Sequence, residues 1–373
     1  MANQSAIPIY EGQDFYVPYF EVKLQERALA KDVVRDILQV TYKDNIEEID
    51  SFEISINNWD AHKRRFKYVD EQLFDPGKKI ELWMGYYGQD RLRLMLKGEI
   101  TSLRPAFPAG GQPTLAISGL NVLHRLRTKQ ESQAYERLTD SGIAKQIGGR
   151  LGIAVRTAGT NEEEYPYLFQ DNQYDIVFLM ERARRIGYDL LVEEKGEGGR
   201  SEETSLYFGP SDTVQHTTYR LTYGRSLIEF QPTLTTANQV GEVTVRGWDP
   251  VHKKKIEVTV KRSELSTRGV GERGGQAAIE QSFNQKKEIV ATKPVHSEQE
   301  AKTLAKETLE RIAKDMVKGS GSTVGLPDLR AGTVVEIDGL GDRFSGRYFV
   351  TATSHAIGDS GYTTQFECRR EET

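Results

Sequence analysis

The chain has almost none of the residues that covalent cross-links and metal clusters require. Among its 373 residues there is one cysteine, Cys368, so an intrachain disulfide is excluded and a reducing compartment is favoured. The six histidines never fall at the short spacings of zinc sites, and no Gly-x-Ser-x-Gly nucleophile motif is present. We therefore expect no metal site, no cofactor and no catalytic residue. A pair of carboxylates brought together from distant strands stays open as an alternative.

The chain also lacks an excess of positive charge and any long apolar run. Its 50 Lys and Arg residues are balanced by 55 Asp and Glu residues, and the net charge of -5 gives no basic field that would concentrate nucleic acid. No apolar run approaches the roughly 20 residues of a membrane helix, and the N-terminal residues do not resemble a signal peptide. We expect the chain to bind no nucleic acid and to insert into no membrane.

What the chain has in abundance is alternation of apolar and polar residues. The clearest stretch is 219–260, where Val243 and Val245 alternate with polar residues before a turn that contains Gly247 and Asp249. Successive side chains of a strand point to opposite faces, so this pattern predicts an antiparallel sheet that is buried on one face. A similar pattern occurs at residues 52–57.

The two alternating stretches belong to a longer internal match. The matched positions, in the same order in both copies, are Trp59 with Trp248, Gly77 with Gly332, and Gly98 with Gly346. The later pairs are separated by more residues than the first pair. A duplicated β-unit whose second copy carries a long insertion explains this difference.

These patterns predict three domains. Residues 1–127 would form a first β-barrel and residues 213–373 a second one, with an α/β insertion at 128–212. The strands predicted for the first barrel are 16–25, 33–42, 52–57, 80–84, 92–103 and 113–119.

Helical patterns are confined to the insertions. Two amphipathic helices are predicted at 139–151 and 172–186, and a flexible segment at 195–200 would close the α/β insertion. The second barrel would carry its own insertion at about 261–325, with a flexible glycine-rich loop at 263–285 and a helix at 297–318. The predicted fold class is mainly β with an α/β insertion and two β-barrels.

Three runs of residues together carry a resemblance to a known family. The first contains Gln170, Asn172, Asp175, Phe178, Leu179, Ala183, Gly187 and Tyr188, the second is the strand with Gly247 and Trp248, and the third contains Gly346, Tyr348, His355, Gly361, Tyr362 and Arg369. In this combination the chain resembles the late control protein D family of phage tails, which is shared with the N-terminal hub of VgrG proteins. The resemblance spans nearly the whole chain.

The resemblance implies a structural baseplate hub of a contractile tail or contractile injection system. Its two barrels would be similar to tail-tube subunits, so a homotrimer would present six similar units in a pseudo-hexameric ring and join a sixfold inner tube to a threefold spike. It implies no catalytic residue and no cofactor. The implied partners are two further copies of the chain, the inner tube protein, a spike protein and other baseplate components.

The resemblance also sets expectations for the particle and for individual positions. VgrG proteins continue beyond the hub into a spike, whereas this chain stops at Thr373, so we expect the spike to be a separate protein. Assembly would take place in the bacterial cytoplasm, and the product would be part of a phage tail or injection particle. The positions expected to carry structure rather than chemistry are Trp59, Gly77, Gly98, Gln170, Asn172, Phe178, Gly187, Tyr188, Gly247, Trp248, Gly332, Gly346, Tyr348 and His355.

Two other functions stay open on the sequence. One is a tail-associated lytic hydrolase that acts on peptidoglycan, and the other is a carbohydrate-binding β module. The hydrolase would clear peptidoglycan as an isolated chain, whereas the binding module would be a monomer retained on glycan.

Overall fold

The structure, a computed structural model, describes residues 7–8, 17–88, 92–158, 162–197, 200–210, 219–265 and 282–370. Most of the predicted loop at 263–285 and the predicted start of the second barrel at 213 lie outside the described residues. The fold is mainly β, and its longest helices lie in two insertions. The predicted fold class is confirmed.

The first barrel is an antiparallel sheet that surrounds one apolar core. Its strands hydrogen-bond in the order β4, β5, β10, β9, β8, β2. In β5, Phe52, Ile54 and Ile56 point inward and are almost fully buried, as their alternation predicts. The elements from the N-terminus are β1 (Ile7–Pro8), β2 (Pro18–Leu24), β3 (Arg27–Ala28), α1 (Lys31–Asp36), β4 (Ile37–Asn45), β5 (Ser51–Asn57), β6 (Trp59–Asp60), β7 (Arg65–Phe66), β8 (Lys79–Tyr86), β9 (Arg93–Ala106) and β10 (Thr114–Asn121).

The strand predicted at 33–42 is wrong in its first half. Residues Lys31–Asp36 form α1, from which only Val33 is buried, and β4 begins at Ile37. Because one buried residue fits a helical turn as well as a strand, the pattern could not separate the two.

The α/β insertion follows a 3₁₀ helix at Val122–Arg127. Thr139 caps α2, since its hydroxyl accepts from the amide of Gly142. The predicted start of the next helix at Asn172 is wrong, because the chain pairs with β11 up to Tyr174 and α3 starts at Asp175. The elements are β11 (Gln130–Tyr135), α2 (Asp140–Arg150), β12 (Ala154–Thr157), β13 (Leu168–Tyr174), α3 (Asp175–Ile186), β14 (Tyr188–Glu197) and β15 (Arg200–Pro210).

The segment predicted to be flexible at 195–200 forms strand wherever the structure describes it. Residues 195–197 end β14, and β15 starts at residue 200, so the two strands pair as a hairpin. Residues 198–199 lie outside the described residues.

The second half of the chain contains another barrel and another insertion. The barrel strands hydrogen-bond in the order β17, β21, β24, β23, β22, β16. The elements are β16 (Tyr219–Thr222), β17 (Leu227–Leu234), β18 (Glu242–Asp249), β19 (Lys254–Lys261), β20 (Lys287–Val290), α4 (Glu298–Lys314), β21 (Val317–Val324), β22 (Val334–Asp338), α5 (Gly341–Phe344), β23 (Gly346–Gly358) and β24 (Gly361–Arg370).

The hairpin predicted to belong to the second barrel lies instead in its insertion. Strands β18, β19 and β20 form a separate three-stranded sheet, and α4 packs on that sheet over a core that includes Val243, Val245 and Leu304. The chain leaves the barrel after β17 and returns at β21, so the insertion begins earlier than 261. Alternation shows that a strand is buried on one face, but it does not show against which core.

The duplication itself is present in the strand pairing. β4, β5, β8, β9 and β10 pair with one another as β17, β21, β22, β23 and β24 do, in the same chain order. Gly77 and Gly332 occupy equivalent turns, because both have positive φ (89° and 87°), and their amides donate to Ile100 and Val350 at 2.8 and 2.9 Å. A left-handed residue in such a turn favours glycine.

Two of the matched pairs are not equivalent in the structure. The shared register of β8–β9 and β22–β23 sets Gly98 against Tyr348, not against Gly346. Trp59 and Trp248 lie in strands of different sheets, and only the turns that follow them are alike. Asp60 accepts hydrogen bonds from two backbone amides at 3.0 Å, as Asp249 does at 2.9 Å. Aspartate favours such turns in any context.

Candidate functional site

The two barrels meet where β4 of the first pairs with β23 of the second. The pairing is antiparallel, with Asn45 opposite Ala352 and Val40 opposite Ile357, so one continuous sheet joins both barrels. The amide of Ile46 donates to the carbonyl of Thr351 at 3.0 Å. We call this contact the barrel junction.

Arg330 of the second barrel reaches into the first barrel at the junction. Its Nε donates to Asp44 Oδ2 at 2.8 Å, and its guanidinium donates to the carbonyl of Met95 at 2.9 Å and stands over the Tyr42 ring, 4.4 Å from the centroid. Asp44 is buried and also accepts from the amide of Ala331 at 3.1 Å. The charge is thus compensated inside the protein rather than by water.

Two further carboxyl groups lie beside this ion pair. Burial, reinforced by the negative charge of Asp44, raises the pKa of Asp50 to about 7, and burial raises the pKa of Glu194 to about 8. Glu194 comes from β14 of the α/β insertion, and its Oε1 accepts from the amide of Lys97 at 2.8 Å. Three parts of the chain therefore share one electrostatic environment.

The raised pKa values predict a stability that falls with pH. Near neutral pH the folded chain holds protons on Glu194 and Asp50 that the unfolded chain has released above about pH 4. The free energy of unfolding contributed by these groups therefore falls from about pH 4 to about pH 8 and is constant above that.

We expect Glu194→Gln to lose part of this pH dependence, by about 1.4 kcal/mol for each unit of raised pKa that it removes. Urea unfolding of both proteins at pH 5 and pH 9 measures the effect. Glu193→Gln, which loses only an ion pair with the half-exposed Arg156, is the matched control. Equal pH slopes for wild type and Glu194→Gln would contradict the assignment.

His355 is a structural residue of the junction. It is completely buried, and burial lowers its pKa to about 4. Its Nε2 lies 3.0 Å from the carbonyl oxygen of Leu329, so Nε2 carries the proton, and Nδ1 accepts from the hydroxyl of Tyr362 at 3.0 Å. A neutral, buried imidazole with both nitrogens engaged has no free site for proton transfer.

The motif positions in the α/β insertion organise its core. Gln170 is fully buried; its amide nitrogen donates to Asp175 at 2.9 Å, and its oxygen accepts from Tyr135 at 3.0 Å. Phe178 stacks on the Tyr135 ring at 5.7 Å. Asn172 lies inside β13 with a positive φ of 46°, where the pairing with β11 shifts register.

Gly187 and Tyr188 connect that core to the second insertion. Gly187 ends α3 with φ 73°, and a side chain there would collide with the carboxylate of Glu307 on α4. Tyr188 packs edge to face on Phe208 at 5.5 Å. Because α3 also contacts α4 through the ion pair between Arg185 and Glu300 at 2.8 Å, the two insertions form one layer.

The remaining motif positions are separate from these groups. Trp59 packs edge to face on Phe66 at 5.4 Å, and Phe66 on Phe107 at 5.1 Å, at one end of the first barrel. Trp248 is 54% exposed on the inserted sheet, where Gly247 lets the backbone approach Val295 closely. The structure does not bring the motif positions together at one site.

The arrangement offers no recognisable reaction centre in the described part of the chain. Two polar grooves of about 460 and 570 Å³ share Asn45, Gln231, Ser320 and Glu367, on the sheet face opposite the cores. Within the described ranges, no group of three His, Cys, Asp or Glu side chains could hold a metal ion. No described helix is long and apolar enough to span a membrane.

The fold is similar to that of phage tail proteins. It matches the 43 kDa tail protein of prophage MuSo2 from Shewanella oneidensis with TM-score 0.70 and 12% identity over 95% of this chain and 100% of that one. It matches the tail protein from Neisseria meningitidis MC58 with TM-score 0.68 and 14% identity, over 95% and 97%.

A third similar structure is the c3393 protein of Escherichia coli, with TM-score 0.59 and 10% identity over 93% of this chain and 76% of that one. That protein is described as a component of the type VI secretion system, similar to bacteriophage T4 tail proteins gp27 and gp5. At such identities the likeness defines a fold, and the fold is that of tail proteins.

The sequence also defines a family. The model of the Alg8 N-terminal domain matches residues 17–359, so the chain belongs to the Alg8 N-terminal domain family. No curated protein matches the chain.

Proposed function

We propose that this chain is the structural baseplate hub of a contractile tail or contractile injection system. It acts as a homotrimer that adapts a sixfold inner tube to a threefold spike. The finer assignment, to the late control protein D and VgrG hub class, is part of this proposal. The chain is assembled in the bacterial cytoplasm, and its partners are the inner tube protein, a separate spike protein and other baseplate components.

The duplicated barrel is the observation that carries the proposal. Both barrels have the same strand pairing and equivalent glycine turns at Gly77 and Gly332, and within one chain they already share a sheet at the barrel junction. Three such chains would present six similar units around one axis, which matches a sixfold ring on one side and a threefold object on the other. A duplication has this use in a symmetric adaptor.

The surroundings of the motif positions support a structural role rather than a catalytic one. Gln170, Phe178, Gly187 and Tyr188 hold the insertions together, and His355 is neutral and enclosed at the junction. We propose that the hub has no catalytic residue and no cofactor. The contacts between copies are then obligate interfaces of about 2,000–5,000 Å².

The solution mass of the purified chain tests the proposal. Light scattering is expected to give about three times 42.2 kDa, alone or on addition of the spike protein, and the trimer is expected to co-purify with the tube protein. A monomer under all of these conditions would contradict the hub. Clearing of peptidoglycan in a zymogram by the isolated chain, or retention of a monomer on glycan, would favour the lytic hydrolase or the carbohydrate-binding module instead.

A further inference from the structure

Each strand of the barrel junction has an equivalent strand that is open at the same edge. β17 pairs with β21 as β4 pairs with β5, and β9 lies between β8 and β10 as β23 lies between β22 and β24. In the part of the chain that the structure describes, residues 102–106 of β9 pair only with β10, and residues 229–234 of β17 pair only with β21. Among the described residues, the junction contact is thus made once inside the chain, and the equivalent contact between β9 and β17 is not made.

Four β-bulges, one in each of the four strands, define which residues correspond. β4 and β17 each carry a bulge, at Leu38 and Ile228, which are both exposed. β9 and β23 each carry one, at Thr101 and Thr351. Counting from these bulges, Leu103, Pro105 and Phe107 correspond to Thr353, His355 and Ile357, and Phe230, Pro232 and Leu234 correspond to Val40, Tyr42 and Asp44.

From this correspondence we propose that β9 of one copy of the chain pairs antiparallel with β17 of the next copy, in the register of the barrel junction. Leu103 then faces Leu234, Pro105 faces Pro232, and Phe107 faces Phe230. The inference rests on the proposed trimeric hub and names the contact that builds it.

The side chains of this register fit each other. On the inward face all three pairs are apolar, whereas the junction inside the chain uses Asp44 and His355 at the corresponding positions. Phe107 is 59% exposed and extends an aromatic group with Phe66 and Trp59, so pairing would bury apolar surface that one copy leaves in water. On the outer face Arg104 would lie opposite Thr233, and no two charges of the same sign oppose each other.

The two prolines fall opposite each other in this register. The amide of Thr235 donates to Met316 at 2.9 Å, so the alternate residues Glu229, Gln231 and Thr233 bond to β21, and Pro232 would direct its missing N–H to the open edge. The register of the junction gives Pro105 the same orientation on β9. Both missing donors therefore fall in one rung of the new ladder, and the neighbouring rungs keep their bonds. In a single copy, the prolines protect both edges from random pairing.

Because the two edges differ, the contact is heterologous and generates either a closed ring or an open filament. The proposed hub requires closure after three copies. The number of copies in a cross-linked product is therefore an independent readout.

A designed disulfide tests the register. Arg104 and Thr233 correspond to Ser354 and Lys43, a pair without direct backbone hydrogen bonds, where Cα atoms lie about 4.5 Å apart, within the range that disulfides span. The double variant Arg104→Cys/Thr233→Cys is oxidised and run on a denaturing gel without reductant. Both sites are exposed, and the native Cys368 is buried and common to all variants.

Two further variants serve as controls. Lys43→Cys/Ser354→Cys is expected to form a disulfide within one chain and shows that the chemistry works at this geometry. Arg104→Cys/Glu229→Cys places the second cysteine four residues out of register on the same strand, and is expected to give at most a tenth of the cross-linked product.

The outcomes separate the inference from the proposed function when wild-type mass is measured in parallel. A trimeric wild type and a covalent product of three chains from Arg104→Cys/Thr233→Cys support both. A trimeric wild type with no product, or with product only from the out-of-register variant, overturns the register and leaves the hub standing. A ladder of ever larger products supports the pairing and contradicts the threefold hub. A wild type that is monomeric at every concentration and on addition of the spike protein, with no product, contradicts both.

Discussion

Replacing Ile54 with aspartate is expected to unfold the first barrel at room temperature. Ile54 is completely buried between Val40 on β4 and Ile117 on β10, so a carboxylate at this position would lie among apolar side chains. An unpaired buried charge costs several kcal/mol, in addition to the lost packing of the isoleucine. This is comparable to the whole stability of many domains, about 5–15 kcal/mol.

Circular dichroism and urea unfolding measure this effect. Ser55→Asp is the matched control, because it places the same charge on the neighbouring residue, which faces outward on β5, and we expect it to change the free energy of unfolding by less than about 1 kcal/mol. Val243→Asp is expected to disrupt the core beneath α4 for the same reason. Normal melting of Ile54→Asp would mean that the inward face of β5 is assigned wrongly.

Replacing Arg330 with methionine is expected to lower the free energy of unfolding by about 3–5 kcal/mol. The change leaves the Asp44 carboxylate buried without its cation, and it removes the donor to the carbonyl of Met95. The lost stability should weaken the barrel junction in particular, because Arg330 belongs to one barrel and its acceptors to the other.

The control for this variant is Arg220→Met, which breaks the more exposed ion pairs with Glu336 and Asp338 and should cost about 1 kcal/mol. The double variant Arg330→Met/Asp44→Asn removes both charges and is expected to recover part of the loss. An effect of Arg330→Met no larger than that of Arg220→Met would show that the ion pair does not hold the junction.

Much of the fold could be predicted where the pattern is local. The alternation of Phe52, Ile54 and Ile56 predicted β5, and Thr139 and Ser297 predicted the starts of two helices. Gly77 and Gly332 revealed the duplication, because a turn with positive φ favours glycine and the two copies therefore share this residue. These features depend on a few neighbouring residues, so they can be recognised in a single sequence.

The matches that failed depended on distant residues. Trp248 resembled Trp59 because both precede an aspartate-capped turn, and such a turn carries no information about the sheet it leaves. The hairpin of β18 and β19 was assigned to the wrong core, since α4, which covers it, lies about 50 residues further along the chain. The two-residue shift between Gly98 and Gly346 has the same origin, because only the pairing register shows that Tyr348 is the equivalent position.

The junction residues gave no signal in the sequence. Arg330 and Asp44 are separated by 286 residues, and Arg330 and Met95 by 235, so nothing near either residue marks them as partners. Asp50 and Glu194 look like ordinary surface carboxylates until three parts of the chain enclose them.

By itself, the sequence determined that the chain is mainly β, that it contains a duplicated unit with insertions, and that it has neither the cysteines nor the histidine spacing of a metal protein. Only the tertiary structure decided which hairpin belongs to which core, which charges meet at the barrel junction, and which strand edges stay open. The physical reason is the separation of the interacting residues along the chain. Alternation, caps and turns are set by neighbouring residues, whereas sheet partners, burial and pKa values are set by residues hundreds of positions away.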